Sequence, residues 1–438
     1  MTDRRIGLTT TRLLIAAIRR TGTTNQQQRQ RRRGYSGLSS IEECLDSLKR
    51  NDPESVLQLP FWPKESQPGF VAIKSFHGEI NNIPNAVSRS QKPLIAQMRY
   101  QWWRDAIDSC YLSSSSSSQV FIFFFSILFY FFMWRTDDLW YKTVDNSPIN
   151  QIPSNHPLIH LLKPIIKQHK LSKYYFTRII NASEAHYLDR RLPTLTALAD
   201  HSRSTTYASL SLQAQLLRSS KQWKEKGTKL GGVTLATVDH SLSHLALFLT
   251  VVRILKQLPY DIRHRGTHSV PLELLECSEE TLFRFFNPRR TYNNHQSLAS
   301  SDQKDLHDAQ DSLFNLIFLA WSELVAAREV ISLDLSHVHS DDFRNHHNAT
   351  LIQKHILSSR KSYLPKITID RTLIPLFLPA TPARTQLTKI SNIILNTHKP
   401  RRQEEQGNLK SHLIDNVARK ADWTVPFKLW FNFTFNKL

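Results

Sequence analysis

Asn81 and Asn85 stand four residues apart in SFHGEINNIPNA, inside a segment (FVAIKSFHGEINNIPNAVS) whose apolar residues otherwise have helical spacing. Residues at i and i+4 of a helix share a face. Two carboxylates at that spacing would seat a divalent cation, because Mg²⁺ sheds water reluctantly and is usually held through anionic oxygens. Two amides offer carbonyl oxygens of similar shape and no charge. Pro84 lacks a backbone donor and disfavours helical geometry at Asn85, so the segment predicts a helix from Gly69 to about Ile83 with Asn85 off the ideal face. A second pair, His240 and His244, also has i, i+4 spacing. No glutamate of the HExxH kind accompanies it, so it reads as a core or surface pair rather than a metal seat. Cys44, Cys110 and Cys277 lie far apart with no CxxC or Cys/His spacing, which points to buried thiols in a reducing compartment rather than disulfides or zinc.

The elements that must position these residues read as helices. The chain has 438 residues, 40% of them hydrophobic and only 11 of them glycine, and its apolar runs are long and helically spaced, which predicts an all-α fold with a sizeable core. IEECLDSLKR is a short amphipathic helix. QKPLIAQMRYQWWRDAIDSCY places Leu94, Ile95, Met98, Trp102 and Ile107 on one side and Arg99, Arg104 and Asp105 on the other. From Pro157 the helices resume with HPLIHLLKPIIKQHKL and KYYFTRIINASEAHYLDRR. The long run VTLATVDHSLSHLALFLTVVRILKQLPYD follows after a polar loop. In SLFNLIFLAWSELVAAREVI, Leu313, Leu316, Ile317, Ala320, Leu324 and Ala327 recur at i, i+3, i+4, i+7, as a helix packed into the same core requires. The aromatic stretch WTVPFKLWFNFTFNKL should dock on the body.

Charge is concentrated at the N-terminus. Residues 1–40 hold nine arginines, no lysine and one acid, Asp3, with an amphipathic patch at Leu13, Leu14, Ile15 and Ile18. That is the pattern of a mitochondrial transit peptide, the alternative being a basic arm for RNA or anionic lipid. RRRGYS places Arg33 two residues before Tyr35, ahead of a cut between Tyr35 and Ser36, giving a transit segment 1–35 and a helical domain 36–438. Removing nine arginines and one aspartate takes the net charge from +20 to +12. A charge of +12 leaves room for an acidic partner or anionic membrane surface, and no nucleic-acid partner is expected. Within the domain, 112–147 is an atypical Ser/Phe-rich insert. Its Val120–Trp134 core is short of the ~20 residues that span a bilayer; it reads as a short anchor, a buried helix, or the translation of an unspliced intron.

The order of three stretches, GFVAIKSFHGEINNIPNAVS, RIINASEAHYLDRRLPTLTALADHSRSTTYASL and HLALFLTVVRILKQLPYDIRHRGTHSVPLELL, resembles the squalene/phytoene synthase family over most of residues 40–438. The resemblance implies a single large helical bundle of the isoprenoid synthase type. In active members two helices each carry Asp-x-x-x-Asp, whose carboxylates hold the Mg²⁺ ions that grip a prenyl diphosphate. At the matching positions this chain has Asn81 and Asn85 on the first helix and Gln257 and Asp261 on the second. Three of four carboxylates are amides, and Asn181 stands where the family tends to have an acid. Arg253 and Lys256 are candidate residual anion contacts.

SFHGEI, MRYQWWRDAID, LKQLPYDIRHRGTHSVPLELL and WTVPFKLWFNF are most similar to the family's mitochondrial branch, which has lost catalysis and serves assembly of respiratory complex I. The resemblance therefore implies a pseudoenzyme without cofactor on the matrix side of the inner membrane. Its partners would be complex I assembly intermediates or subunits, with peripheral membrane association and room for a lipid or isoprenoid in the central cavity. The alternative is an active, Mg²⁺-dependent prenyl transferase making a head-to-head product.

Overall fold

The computed structural model describes residues 40–87, 93–112, 156–221, 223, 234–286, 300–335, 372–395 and 424–434, and every regular element among them is helical. The transit segment 1–35 with Tyr35 and Ser36, and the insert beyond Leu112, lie outside the described residues. In chain order the α-helices are α1 (Ser40–Asn51), α2 (Pro53–Gln58), α3 (Gln67–Ala86), α4 (Pro93–Tyr111), α5 (Pro157–His169), α6 (Lys173–Leu188), α7 (Leu195–Ser202) and α8 (Ala208–Arg218). They continue as α9 (Leu235–Tyr260), α10 (Glu279–Phe286), α11 (Ser300–Leu335), α12 (Ile374–Phe377), α13 (Ala380–Leu395) and α14 (Val425–Thr434).

A single contiguous core draws on nearly all of them. Its middle is aromatic: Phe76 of α3 meets Trp103 of α4 at 5.6 Å and Phe176 of α6 at 5.1 Å, both edge-on. Edge-to-face pairs at such distances add about 0.5–1.5 kcal/mol beyond the area they bury. α3 also runs against α8, where Gly69 permits the approach. A Cβ at that position would lie 2.5 Å from the Cδ1 of Leu216, itself fully buried. The second half of the core is the α9–α11 pair. Leu313, Leu316, Ile317, Ala320, Leu324 and Ala327 are all buried there, as their spacing predicts. α9 and the turn after it are long and apolar enough to cross a membrane by length and composition. Its buried residues, Leu242, Leu245, Phe248, Val252 and Leu255 among them, serve this packing.

Two helices differ from their sequence reading. α4 buries Ala96, Tyr100, Trp103, Ala106, Ile107 and Cys110, while Leu94 is exposed and Met98 and Trp102 are half-buried. The stripe is rotated because small alanines allow close helix approach, and because the Tyr100 hydroxyl finds a partner inside, donating to the Ser183 carbonyl at 3.3 Å. α3 continues through Pro84 to Ala86, closed by the Val87 amide donating to the Ile83 carbonyl at 3.2 Å. A proline one turn from the end sacrifices one bond to Ile80 and little else, so Asn85 stays on the helix. Cys44 and Cys110 are buried as expected, whereas Cys277 is half-exposed.

Two π-turns interrupt the helical runs. Arg203–Tyr207 joins α7 to α8, and Asp261–Arg265 ends α9. The first is pinned to α9 by Thr206 Oγ1 at 2.8 Å from Thr250 Oγ1, with Ser202 adjoining. The second is stopped by Gly266 at φ +61°, a left-handed position that glycine takes without steric cost. Such insertions often mark functional places in helices.

Candidate functional site

Both π-turns border one region. α3 contributes His77, α6 contributes His186, α7 contributes His201 and α9 contributes Arg253. The His186 and His201 rings lie 4.4 Å apart, and His186 Nε2 is 3.2 Å from the Ser269 hydroxyl. His77 Nε2 is buried without a hydrogen-bond partner among the described residues. Burial, then the Arg253 charge, pushes His77 down to about 3, and the same two causes in the same order push His186 down to about 4. His201 falls well below its usual range through burial, His186 and Arg253. Arg253 itself is lowered by burial. At neutral pH the region therefore holds three uncharged imidazoles beside the Arg253 guanidinium, with Arg190 and Arg265 also acting on His186.

Of the positions that the family resemblance singles out, Asn81 follows His77 by one helical turn on α3 and Gln257 follows Arg253 by one turn on α9. Asn81 is half-buried, and the exposed Asn85 donates from Nδ2 to the Asn82 side-chain oxygen at 3.3 Å. Gln257 is exposed. Asp261 is buried, and its carboxylate accepts from Arg265 at 2.6 Å. Burial raises the Asp261 carboxyl, with Arg265 and Arg190 pulling the other way. Lys256 stands 3.8 Å from Glu54 on α2, so its charge is shared with an acid. Asn181 accepts from the Arg104 Nε at 3.0 Å, and Arg104 also pairs with Glu184.

This donor set does not fit Mg²⁺. A magnesium site needs anionic oxygens, and here the one carboxylate of the four is already engaged by an arginine while a second guanidinium, Arg253, stands a helical turn before Gln257.

His240 and His244 do acquire a third partner that their sequence neighbourhood lacks. Glu323 of α11 lies 2.7 Å from His244 Nδ1, and His244 Nε2 lies 3.2 Å from His240 Nε2. The chain Glu323–His244–His240 ties α9 to α11. Among the described residues, the His/carboxylate group with metal-like spacing is His307, Asp308 and Asp311 at the start of α11. Its His307–Asp311 contact of 2.9 Å is an ordinary i, i+4 pair with exposed side chains.

The depressed imidazoles set a pH response. A group whose folded pKa lies below its unfolded value leaves the unfolded chain holding more protons as the pH drops, so stability is lost on acidification. The loss begins near the ordinary histidine value of 6.5 and continues toward about 4 for His186. The urea midpoint at about pH 7.5 should exceed that at about pH 5. His77→Gln, which removes one such proton uptake, should flatten the difference; an unchanged slope would show that His77 does not contribute.

A family model described as squalene/phytoene synthase matches residues 48–354. Among curated proteins, the NADH dehydrogenase (ubiquinone) complex I, assembly factor 6 of Mus musculus is 24% identical over 234 residues, 53% of this chain and 53% of that protein. The assembly factor 6 homolog of Drosophila melanogaster is 24% identical over 296 residues, 64% of this chain and 71% of that protein. The human assembly factor 6 is 21% identical over 217 residues. The chain spans about half the length of the mammalian relatives it matches. Among solved structures, a dehydrosqualene synthase in complex with ligand covers 86% of this chain and 95% of its own at 11% identity, with a TM-score of 0.40.

Proposed function

The chain belongs to the squalene/phytoene synthase family, and from that premise we propose that its all-α bundle works without catalysis, in the assembly of mitochondrial respiratory complex I. The observation that carries this reading is the charge of the site. Where diphosphate chemistry needs a cluster of carboxylates, this chain presents Asn81, Asn85 and Gln257, leaves Asp261 bound to Arg265, and adds Arg253. A bundle that cannot grip metal and diphosphate still keeps its shape, and shape is what an assembly partner contacts. The names of the mouse, fly and human relatives support the same process. In this reading the Arg-rich residues 1–35 direct import, the protein works on the matrix side of the inner membrane as a peripheral protein, and it contacts complex I intermediates or subunits without a cofactor.

Deleting the gene and resolving the respiratory complexes on native gels tests the role. Complex I should be lost or stalled at a subassembly while the other complexes persist, with the wild-type chain restoring it. Normal complex I in the deletion would defeat the proposal. Rescue by N81A/N85A/Q257A should equal that by wild type, since no catalytic duty rests on those side chains.

A further inference from the structure

Arg253 brings a charge into the interior of the bundle without an acid to meet it. Burial alone lowers it, and among the described residues it has no carboxylate partner. The acids that reach the surrounding groups are engaged elsewhere. Asp52 meets Lys74 at 3.3 Å, Asp261 meets Arg265 at 2.6 Å, and Asp189 is exposed and accepts from the Arg191 amide at 3.0 Å. An enclosed charge without a counter-charge is costly, and an anion that enters beside it removes that cost.

The histidines around it supply hydrogen-bonding capacity rather than charge. His77 Nε2 is buried with no partner among the described residues, a second cost that a ligand relieves. His186 spends one ring nitrogen on Ser269 and stands 4.4 Å, ring to ring, from His201. His77, His186, His201 and Arg253 each keep part of their surface accessible although the helices enclose them, as side chains lining an internal recess do. Both π-turns fix the place: Thr206 ties the turn after His201 to Thr250, one helical turn before Arg253, at 2.8 Å, and the chain beyond Gly266 presents Ser269 to His186. Polar groups therefore converge from α3, α6, α7 and α9. A planar carboxylate is satisfied by the arginine fork alone, whereas a tetrahedral phosphate uses donors from several directions.

We propose that this recess binds a phosphate group directly and without metal, with Arg253 as its counter-charge and the imidazoles of His77, His186 and His201 as its hydrogen-bond partners. The inference rests on the non-catalytic reading above and names a ligand class for the altered site. The phosphate is either the free ion or the end group of an organic phosphate.

Calorimetric titration of the full chain in the presence of EDTA tests it, with inorganic phosphate and phenyl phosphate as probes. Saturable binding of inorganic phosphate is expected, and acetate should fail to compete. Arg253→Gln should weaken binding roughly 10- to 100-fold, the weight of a hydrogen bond to a charged group. The same variant should raise the melting temperature of the ligand-free protein, since it removes an uncompensated charge, and that rise separates loss of the site from loss of the fold. His77→Leu, in an apolar stretch of α3, should weaken binding about fivefold with unchanged circular dichroism. Phenyl phosphate bound as tightly as inorganic phosphate would assign the end group of an organic phosphate, and its exclusion would assign the free ion; either result supports the site. Equal binding by wild type, R253Q and H77L, or no binding by wild type, would overturn the proposal while leaving the assembly role to the native gels. Binding that requires Mg²⁺ would overturn the site and the non-catalytic reading together.

Discussion

Incubated with farnesyl diphosphate and Mg²⁺, the purified protein is expected to release no diphosphate above the buffer rate. The physical reason is electrostatic. A unit charge about 4 Å from a cation is worth about 4 kcal/mol at the effective dielectric of a protein surface, and the amides at 81, 85 and 257 forgo that attraction three times over. Nor is the remaining acid available, because Asp261 accepts from Arg265 at 2.6 Å. Metal ions stabilise the negative charge of a departing diphosphate, so without them ionisation has no offset. N81D/N85D/Q257D is the least change from which Mg²⁺-dependent release is expected, and Mg²⁺ titration by calorimetry should show saturable binding in that variant and none in wild type. Turnover by the unmodified protein would sink the non-catalytic reading at once.

The second large effect is on stability. Phe76→Ala should cost about 3–5 kcal/mol, the range for emptying an aromatic site in a close-packed core. Phe76 is wholly buried and is the ring through which α3, α4 and α6 meet, so truncation removes its contacts with both Trp103 and Phe176 and leaves a void in the middle of the bundle. Chemical denaturation should show a lower midpoint at unchanged slope. A loss under about 1 kcal/mol would mean that the neighbouring helices close the gap, and that the aromatic centre is less constrained than its burial indicates.

How much of this was legible in the sequence depends on distance along the chain. The buried stripe of α11 follows directly from apolar residues at i, i+3 and i+4. So does the existence of α9, in which Val238, Leu242, Leu245, Phe248, Val252 and Leu255 recur at helical spacing. The rotation of α4 was not legible, because large residues such as Leu94 and Met98 draw the eye while Ala96 and Ala106 do the close packing. The amides at 81, 85 and 257 were legible only through the family resemblance; residue spacing alone pairs Asn81 with Asn85 and no further. The histidine cluster around Arg253 is not legible in the sequence. His77, His186 and His201 sit in three helices more than a hundred residues apart at the extremes, and nothing in local periodicity brings them to one place. Glu323 beside His244 is the same case. A signal did exist: a histidine inside an otherwise apolar helical segment, as at His77, requires either a partner or a cavity.

The contact of Phe61 with Phe433, and the bond of Gln386 on α13 to Glu54 on α2, join early and late parts of the chain. Such long closures delay folding, since the loop between them must be ordered before the contact repays it. As the polypeptide emerges from a ribosome, residues 54–61 have to wait for residues 386–433 before these contacts can close. A nascent chain therefore exposes this surface until its end is made, and a truncation that removes α14 should leave the leading helices open to proteolysis.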